Sequence, residues 1–312
     1  MILITGAGGF IGRNLATYLH KKGESVLASG RREHDEFFSE KGIPYVKLDI
    51  SNRDDYENIE QKNIKKIVHL AALVPTNKKV HSTAEYISIN GNGILNLLDF
   101  CVQNNVEKFV NISSISVYGA SGKNGVKEDV NLQPFGTYAD YAIAKILAEL
   151  FTERYKADFD LNALTLRLGY VFGDFSKEHL LLPRLLKRAL DGKEIVIEGT
   201  GEYVFDVVYV DDCIDAIELA LNTSNTGIYN VGNEKPVSLI QIVNAIDNYV
   251  YRITEKQTQI RHVDSKDVKP GYVMSLERSK RLLGYRPKYK GIEVIQQVIN
   301  DYHENRNFYG NT

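Results

Sequence analysis

Two Tyr-x-x-x-Lys pairs occur in the 312-residue sequence, Tyr18/Lys22 and Tyr141/Lys145. On a helix this spacing puts the phenol and the ammonium on one face. A tyrosine of ordinary pKa, ~10, is a poor base at neutral pH, but a neighbouring cation favours the phenolate and lets it exchange a proton with a hydroxyl or carbonyl. Only the second pair has a partner set in reach of the same chemistry. The run "NISSISVYG" at 111–119 puts Ser113 and Ser114 at the end of a strand-like segment, at the rim where ligands of open parallel sheets bind. Tyr18 sits on the segment leaving a glycine-rich turn, where a helix packs on its sheet, and reads as structural.

That turn is "TGAGGFIG" at 5–12, with Gly6, Gly9 and Gly12 three apart and Phe10 and Ile11 opening the next segment. It follows the strand-like "ILIT". Glycines there allow a tight turn, close backbone approach to a pyrophosphate and close helix–strand packing, while the helix N-terminus favours the anion. Dinucleotide binding is the expectation. An acid about 20 residues on, at the tip of the second strand, bonds the ribose 2′-OH of NAD, whereas arginine accommodates the 2′-phosphate of NADP. The tip here reads Gly30, Arg31, Arg32. NADP(H) is therefore the expected cofactor, with NAD(H) as the alternative, because Glu33 and Asp35 stand close enough in sequence to engage the arginines.

The elements that must position these residues alternate. Short apolar runs at 2–5, 25–29, 44–50, 66–72, 108–114 and 161–169 are separated by helix-like segments such as 11–22 and 91–104. Strands buried on both faces with intervening helices specify an α/β fold of Rossmann type, a doubly wound parallel sheet. From about Gly173 the pattern loosens, and a smaller, discontinuous α/β C-terminal substrate domain is expected. The boundaries read as 1–168, with about 207–232 returning to the sheet, for the dinucleotide-binding domain, and about 169–206 and 233–312 for the substrate domain.

Composition excludes several function classes. Thirty-eight Lys and Arg against 40 Asp and Glu give a net charge of −2, without the basic blocks of a nucleic-acid or membrane surface. No apolar stretch approaches the ~18 residues of a membrane span, and Met1 runs into "ILITG" without a basic leader; the chain is read as cytoplasmic. Cys101 and Cys213 are too few for a disulfide framework and lack ligand spacing, so buried thiols and no metal are expected.

Taken together, "TGAGGFIG", "LDI" at 48–50, "HLAA" at 69–72, "SINGNGILNLLDFC" at 88–101, the serine run, "YAIAK" and "VVYVDDC" at 207–213 resemble the extended short-chain dehydrogenase/reductases, the NAD-dependent epimerase/dehydratase family. The resemblance implies that Tyr141 exchanges the proton of a substrate hydroxyl or carbonyl and that Ser114 hydrogen-bonds the same oxygen. It implies that Lys145 binds the nicotinamide ribose and lowers the tyrosine's pKa. By the same resemblance Asp49 and Ile50 border the adenine, Leu70, Ala71 and Ala72 the middle of the cofactor, and Asn90 helps organise the site; Asp49 and Asn90 also read as ordinary cap or loop residues.

The chain departs from the family at the substrate. The Asp-Glu pair of the 4,6-dehydratases is replaced by Ile115 and Ser116, so dehydration is not expected. Where nucleotide-sugar binders place a diphosphate-contacting Asn and Arg, this chain has Tyr170 and Phe205, and a late "RPGD" becomes "KPGY" at 269–272. Either Lys269, Arg184 or Arg261 holds a nucleotide sugar differently, or the substrate carries no diphosphate. His179 resembles the place where some 4-keto-sugar reductases of the family put a proton donor, with Ser116 at a second such place; a surface or capping histidine is the other account. The resulting expectation is an NADPH-dependent 4-keto reductase of a nucleotide sugar. The alternatives are a 4-epimerase with retained NAD, a reductase of a carbonyl compound without a diphosphate, and a cofactor-sensing module without turnover. The resemblance also implies a homodimer formed through helices near 91–104 and 138–156.

Overall fold

The apolar runs of the first half become parallel strands in the computed structural model, which describes residues 1–59, 62–75, 81–119, 125–136, 138–173, 180–233, 235–264 and 271–304. They are β1 (Ile2–Thr5), β2 (Val26–Gly30), β3 (Tyr45–Lys47), β4 (Lys66–His69), β5 (Lys108–Ser114) and β6 (Ala163–Leu168). Helices α1 (Phe10–Lys21), α2 (Glu36–Glu40), α3 (Thr83–Tyr86), α4 (Gly93–Gln103) and α5 (Ala139–Phe159) connect them. The chain continues through β7 (Tyr170–Phe172), α6 (Leu181–Leu190), β8 (Ile195–Glu198), β9 (Val204–Phe205), β10 (Val207–Tyr209) and α7 (Val210–Asn222). It ends with β11 (Gly227–Val231), β12 (Val237–Ser238), α8 (Leu239–Thr254), β13 (Ile260–Val263) and α9 (Ile292–Glu304).

Seven strands form one parallel sheet in the order β11-β6-β5-β4-β1-β2-β3. The order reverses between β1 and β4, which opens the crevice where dinucleotides bind in such sheets. Alternation along the strands feeds two cores. Ile2 and Ile4 join Leu15, Ala16, Ile214 and Ile217 on one face, while Leu3 joins Ile67, Phe109, Leu97 and Leu98 on the other. The first core runs on without a break into Leu182, Leu186, Ile242, Val243, Val294 and Ile295 of the C-terminal helices.

Sequence and structure differ at several edges, for local reasons. The run 44–50 stops being a strand at Lys47, because the Asp49 amide donates to the Asp55 carboxylate at 2.8 Å and the Asp49 carboxylate accepts from the Ser51 amide and hydroxyl. Of the stretch 207–232, only β11 joins the seven-stranded sheet, beside β6; β10 pairs with β7 instead. Two further pairs, β12 with β9 and β13 with β8, complete the C-terminal part. Among the described residues no helix is long and apolar enough to cross a membrane.

Candidate active site

The glycine turn lies at the carboxyl end of β1, and Gly9 precedes the first residue of α1 without any side-chain cap. The first N–H groups of that helix are thus left for an anion. Gly12 is buried, and a Cβ there would stand 2.6 Å from Ala7 Cα and 2.7 Å from the Gly6 and Ala7 carbonyl oxygens, so only glycine lets α1 start this close to the turn. From β4, the Leu70 amide donates to the Thr5 carbonyl at 3.2 Å and the Ala71 amide to the Thr5 hydroxyl at 3.3 Å. Leu70, Ala71 and Ala72 are half-buried along the crevice. Asn90 clamps the next residue from both sides, accepting from the Leu73 amide at 2.6 Å and donating to the Leu73 carbonyl at 2.9 Å. These features fit a dinucleotide: a cradle without side chains, uncapped amides and a crevice wall fixed by buried hydrogen bonds.

At the far end of β2 the arginines are exposed, and Arg32 lies 4.0 Å from Asp35. Glu33 engages Lys47 at 2.5 Å rather than an arginine. A Cβ on Gly30 would stand 3.0 Å from the Tyr45 hydroxyl. Asp35, read in the sequence only as an acid able to engage the arginines, also reaches the glycine turn. It is 5% exposed, caps α2 through the Phe37 amide, lies 3.6 Å from Arg13, and sits 3.2 Å from where a Gly8 Cβ would be. Asp49 is spent on its own turn, and the Ile50 side chain is buried against Gly93.

The serine, tyrosine and lysine singled out in the sequence meet at the ends of β5 and α5. Strand alternation separates the two serines. Ser113 turns inward and donates to Glu149 at 2.5 Å, which leaves Ser114 at the rim. The Ser114 oxygen accepts from the Ser116 amide at 3.1 Å and the Ser116 hydroxyl at 3.0 Å. A serine oxygen has two acceptor sites and one hydrogen, so its own hydrogen is left to point away from Ser116, and Ser114 is near enough to Tyr141 to favour the phenolate. Ser116 therefore aims Ser114. Burial pushes the Tyr141 phenol up to about 12 against the Ser114 hydrogen bond, and the Tyr86 ring meets Tyr141 edge-on at 6.1 Å. Tyr86 had no signal in the sequence, being brought here by the wide turn over Ile87–Asn92 that packs α3 on α5.

Lys145 is buried one turn beyond Tyr141. It donates to the Ile112 carbonyl at 2.7 Å and stands 6.0 Å from the Tyr141 ring centre. Burial lowers its pKa to about 8, and the carboxylate of Glu149 opposes the fall. The other pair is structural: the Tyr18 hydroxyl and the Lys22 ammonium both donate to Glu218 of α7, at 2.7 and 2.6 Å. Chemically, the set is a partly exposed phenol beside a serine at the rim, backed by a buried lysine.

On the substrate side Tyr170 and Phe205 meet edge-on at 5.1 Å, with Tyr203 5.2 Å from Phe205. Arg261 is engaged by Glu194 at 3.0 Å, and Arg184 is exposed on α6. His179 and Lys269 lie outside the described residues.

The profile of the NAD dependent epimerase/dehydratase family matches residues 2–232. The chain belongs to that family. An uncharacterized protein of Methanocaldococcus jannaschii, MJ1055, is 30% identical over 98% of this chain and 97% of its own length. A UDP-glucuronate 4-epimerase of Thermodesulfobacterium geofontis is 26% identical over 97% and 96%. The crystal structure of a dTDP-glucose 4,6-dehydratase from Bacillus anthracis, in complex with NAD, superposes with a TM-score of 0.84 at 23% identity, covering 99% of this chain and 98% of that one. It shares the fold. Membership makes the chain a nicotinamide-cofactor enzyme of the epimerase/dehydratase type, and the crevice between β1 and β4 is where the fold puts such a cofactor.

Proposed function

We propose that this family member is an NADPH-dependent reductase of a keto carbon on a sugar, in first place the 4-keto group of a nucleotide-linked sugar. The observation that carries the reading is the convergence of Ser114, Tyr141 and Lys145 at the ends of β5 and α5. A protonated tyrosine is the acid that a carbonyl oxygen needs as it gains charge. The nicotinamide cofactor, when bound against the glycine turn, supplies the hydride. Tyr141 gives its proton to the oxygen, Ser114 donates a hydrogen bond to the same atom, and Lys145 steadies the tyrosinate that remains. The exposed Arg31 supports NADPH over NADH, since an arginine–phosphate hydrogen bond contributes ~1.5–3 kcal/mol. Ile115, buried, and Ser116, bound to Ser114, carry no carboxyl, which argues against 4,6-dehydration. Tyr170 and Phe205 leave a diphosphate to be held by cations elsewhere.

A second reading, a 4-epimerase that retains NAD, is favoured by Asp35, whose carboxylate lies against Gly8 where it can meet a ribose hydroxyl and repel a 2′-phosphate. The UDP-glucuronate 4-epimerase relative agrees with it. The deciding experiment denatures the purified protein, identifies any released nucleotide, and titrates the emptied protein with NADPH and NADH before assaying a panel of keto sugars. Preferred, exchangeable NADPH with its consumption by a keto sugar supports the reductase; tightly held NAD overturns it. In the first case Arg31→Ala weakens NADPH binding by about tenfold or more and leaves NADH binding unchanged.

The reading extends to a homodimer. Helix α5 presents Leu150, 59% exposed, and the partly exposed Ile143, two turns apart on one face, which supports a contact with a second copy. Sedimentation of the wild type at the mass of two chains and of Leu150→Asp at the mass of one is the expected result. A monomeric wild type removes the dimer.

A further inference from the structure

Glu149 follows Lys145 by one helical turn and is 3% exposed. Its carboxylate is held on two sides. Arg167 of β6 reaches it through Nε at 3.0 Å and Nη2 at 2.7 Å, and the Ser113 hydroxyl of β5 donates to it at 2.5 Å. Arg167 also donates through Nη1 to the Tyr118 hydroxyl at 3.0 Å and the Glu128 carbonyl at 3.1 Å. Tyr118, at the end of the turn that begins after Ser114, donates in turn to Asn230 of β11. Asn230 donates to the carbonyls of Val126 and Ser275 at 3.0 and 3.1 Å. A buried ion pair is a weak stabiliser compared with apolar packing of the same volume, so its geometry is the informative part. It joins the helix carrying Tyr141 and Lys145 to β6, and the Ser113 hydrogen bond to the same carboxylate ties that helix to β5, the strand carrying Ser114.

We propose that Glu149 is a positioning residue for the reacting groups: through Arg167 and Ser113 its carboxylate keeps α5 in register with the ends of β5 and β6, and so keeps Lys145, one helical turn earlier, on the Ile112 carbonyl. The groups facing Lys145 are Tyr141 and Glu149 from α5 and His69 from β4, with Arg167 of β6 behind Glu149. His69 is buried, hydrogen-bonded to the Thr5 hydroxyl at 2.9 Å and pushed down to about 3 by burial and by Lys145. It stays neutral over the working range. Glu149 is thus the anion that opposes the burial of Lys145.

The inference rests on the proposed role of Lys145 in turnover, and its test separates the two. The full-length protein is labelled with 13C-lysine, and the Lys145 side-chain resonance, assigned by its loss in Lys145→Arg, is followed against pH. In Glu149→Gln the titration midpoint falls below the wild-type value by about half a unit or more; in Arg167→Gln, which leaves the carboxylate, it does not fall. Because Glu149→Gln strands a buried arginine, the double variant Glu149→Gln/Arg167→Met provides a folded protein without the pair, and its midpoint also falls. An unchanged midpoint in either folded variant, with only a lower Tm, overturns the proposal and leaves the pair structural. If the wild type reduces a keto sugar, the alkaline limb of kcat/KM shifts with the midpoint, giving about a threefold loss at pH 8.5 for a half-unit shift from 8. A midpoint that moves in a protein that turns over no keto sugar sinks the reductase reading and leaves the role of Glu149 standing.

Discussion

Tyr141→Phe is expected to lower kcat by about 10²–10⁴-fold, the usual worth of one positioned acid–base group, while cofactor affinity and Tm stay near the wild-type values. The substitution removes only the hydroxyl. The ring keeps its edge-on contact with Tyr86, Lys145 keeps the Ile112 carbonyl, and Ser114 keeps both hydrogen bonds from Ser116. Single-turnover kinetics with saturating cofactor check it, alongside fluorescence titration of the cofactor. A variant that retains turnover within a factor of about three would place the proton elsewhere, because no general acid of typical efficiency is so dispensable. Loss of cofactor binding in the same variant would instead mean that the phenol supports the crevice wall.

The second large effect belongs to the glycine turn. Gly12→Ala is expected to weaken cofactor binding by about 100-fold or more, ~2.7 kcal/mol, and to lower Tm. The new methyl would lie 2.6–2.7 Å from backbone atoms of Gly6 and Ala7, which cannot yield as a flexible side chain can. Helix α1 must back away from β1 and carry its N-terminal amides with it. Each amide pulled off a phosphate oxygen loses a charge-assisted hydrogen bond worth ~1.5–3 kcal/mol, so a shift affecting one or two of them accounts for the binding loss. Overpacking of this kind costs roughly 1–3 kcal/mol of stability, a Tm lower by about 2–12 °C for a chain somewhat larger than 150–250 residues. Calorimetry and cofactor titration on the same sample distinguish a local effect from unfolding. Unaltered binding would show that the turn does not hold the pyrophosphate.

The parallel, doubly wound sheet and the place of the glycine turn were legible in the sequence because each rests on local signals, β-branched runs of strand length and a helix start marked by glycines, whereas the strand order came from the pairing of distant strands. The Tyr141/Lys145 pair was legible for the same reason, since a helix converts a spacing of four into one face. The separation of Tyr141/Lys145 from Tyr18/Lys22 already needed context. The structure supplies it in Glu218, which lies about two hundred residues from Tyr18 and ties that first pair to α7.

What the sequence by itself determined is therefore the family and the dinucleotide crevice, both encoded in short-range patterns, and it singled out Tyr141 as the candidate acid. The resemblance pointed to Ser114, and the tertiary structure supplied the physical reason that it and not Ser113 faces the rim, since parity along β5 counts from a register set by β4 and β6. Only the tertiary structure decided that Asp35 folds back on Gly8, that Tyr86 meets Tyr141, that Asn90 clamps Leu73, and that Arg167 reaches Glu149. Each of these brings together residues whose spacing along the chain carries no periodic signal. Their meeting depends on sheet pairing and helix packing, where burial and hydrogen-bond satisfaction across many elements choose the partner.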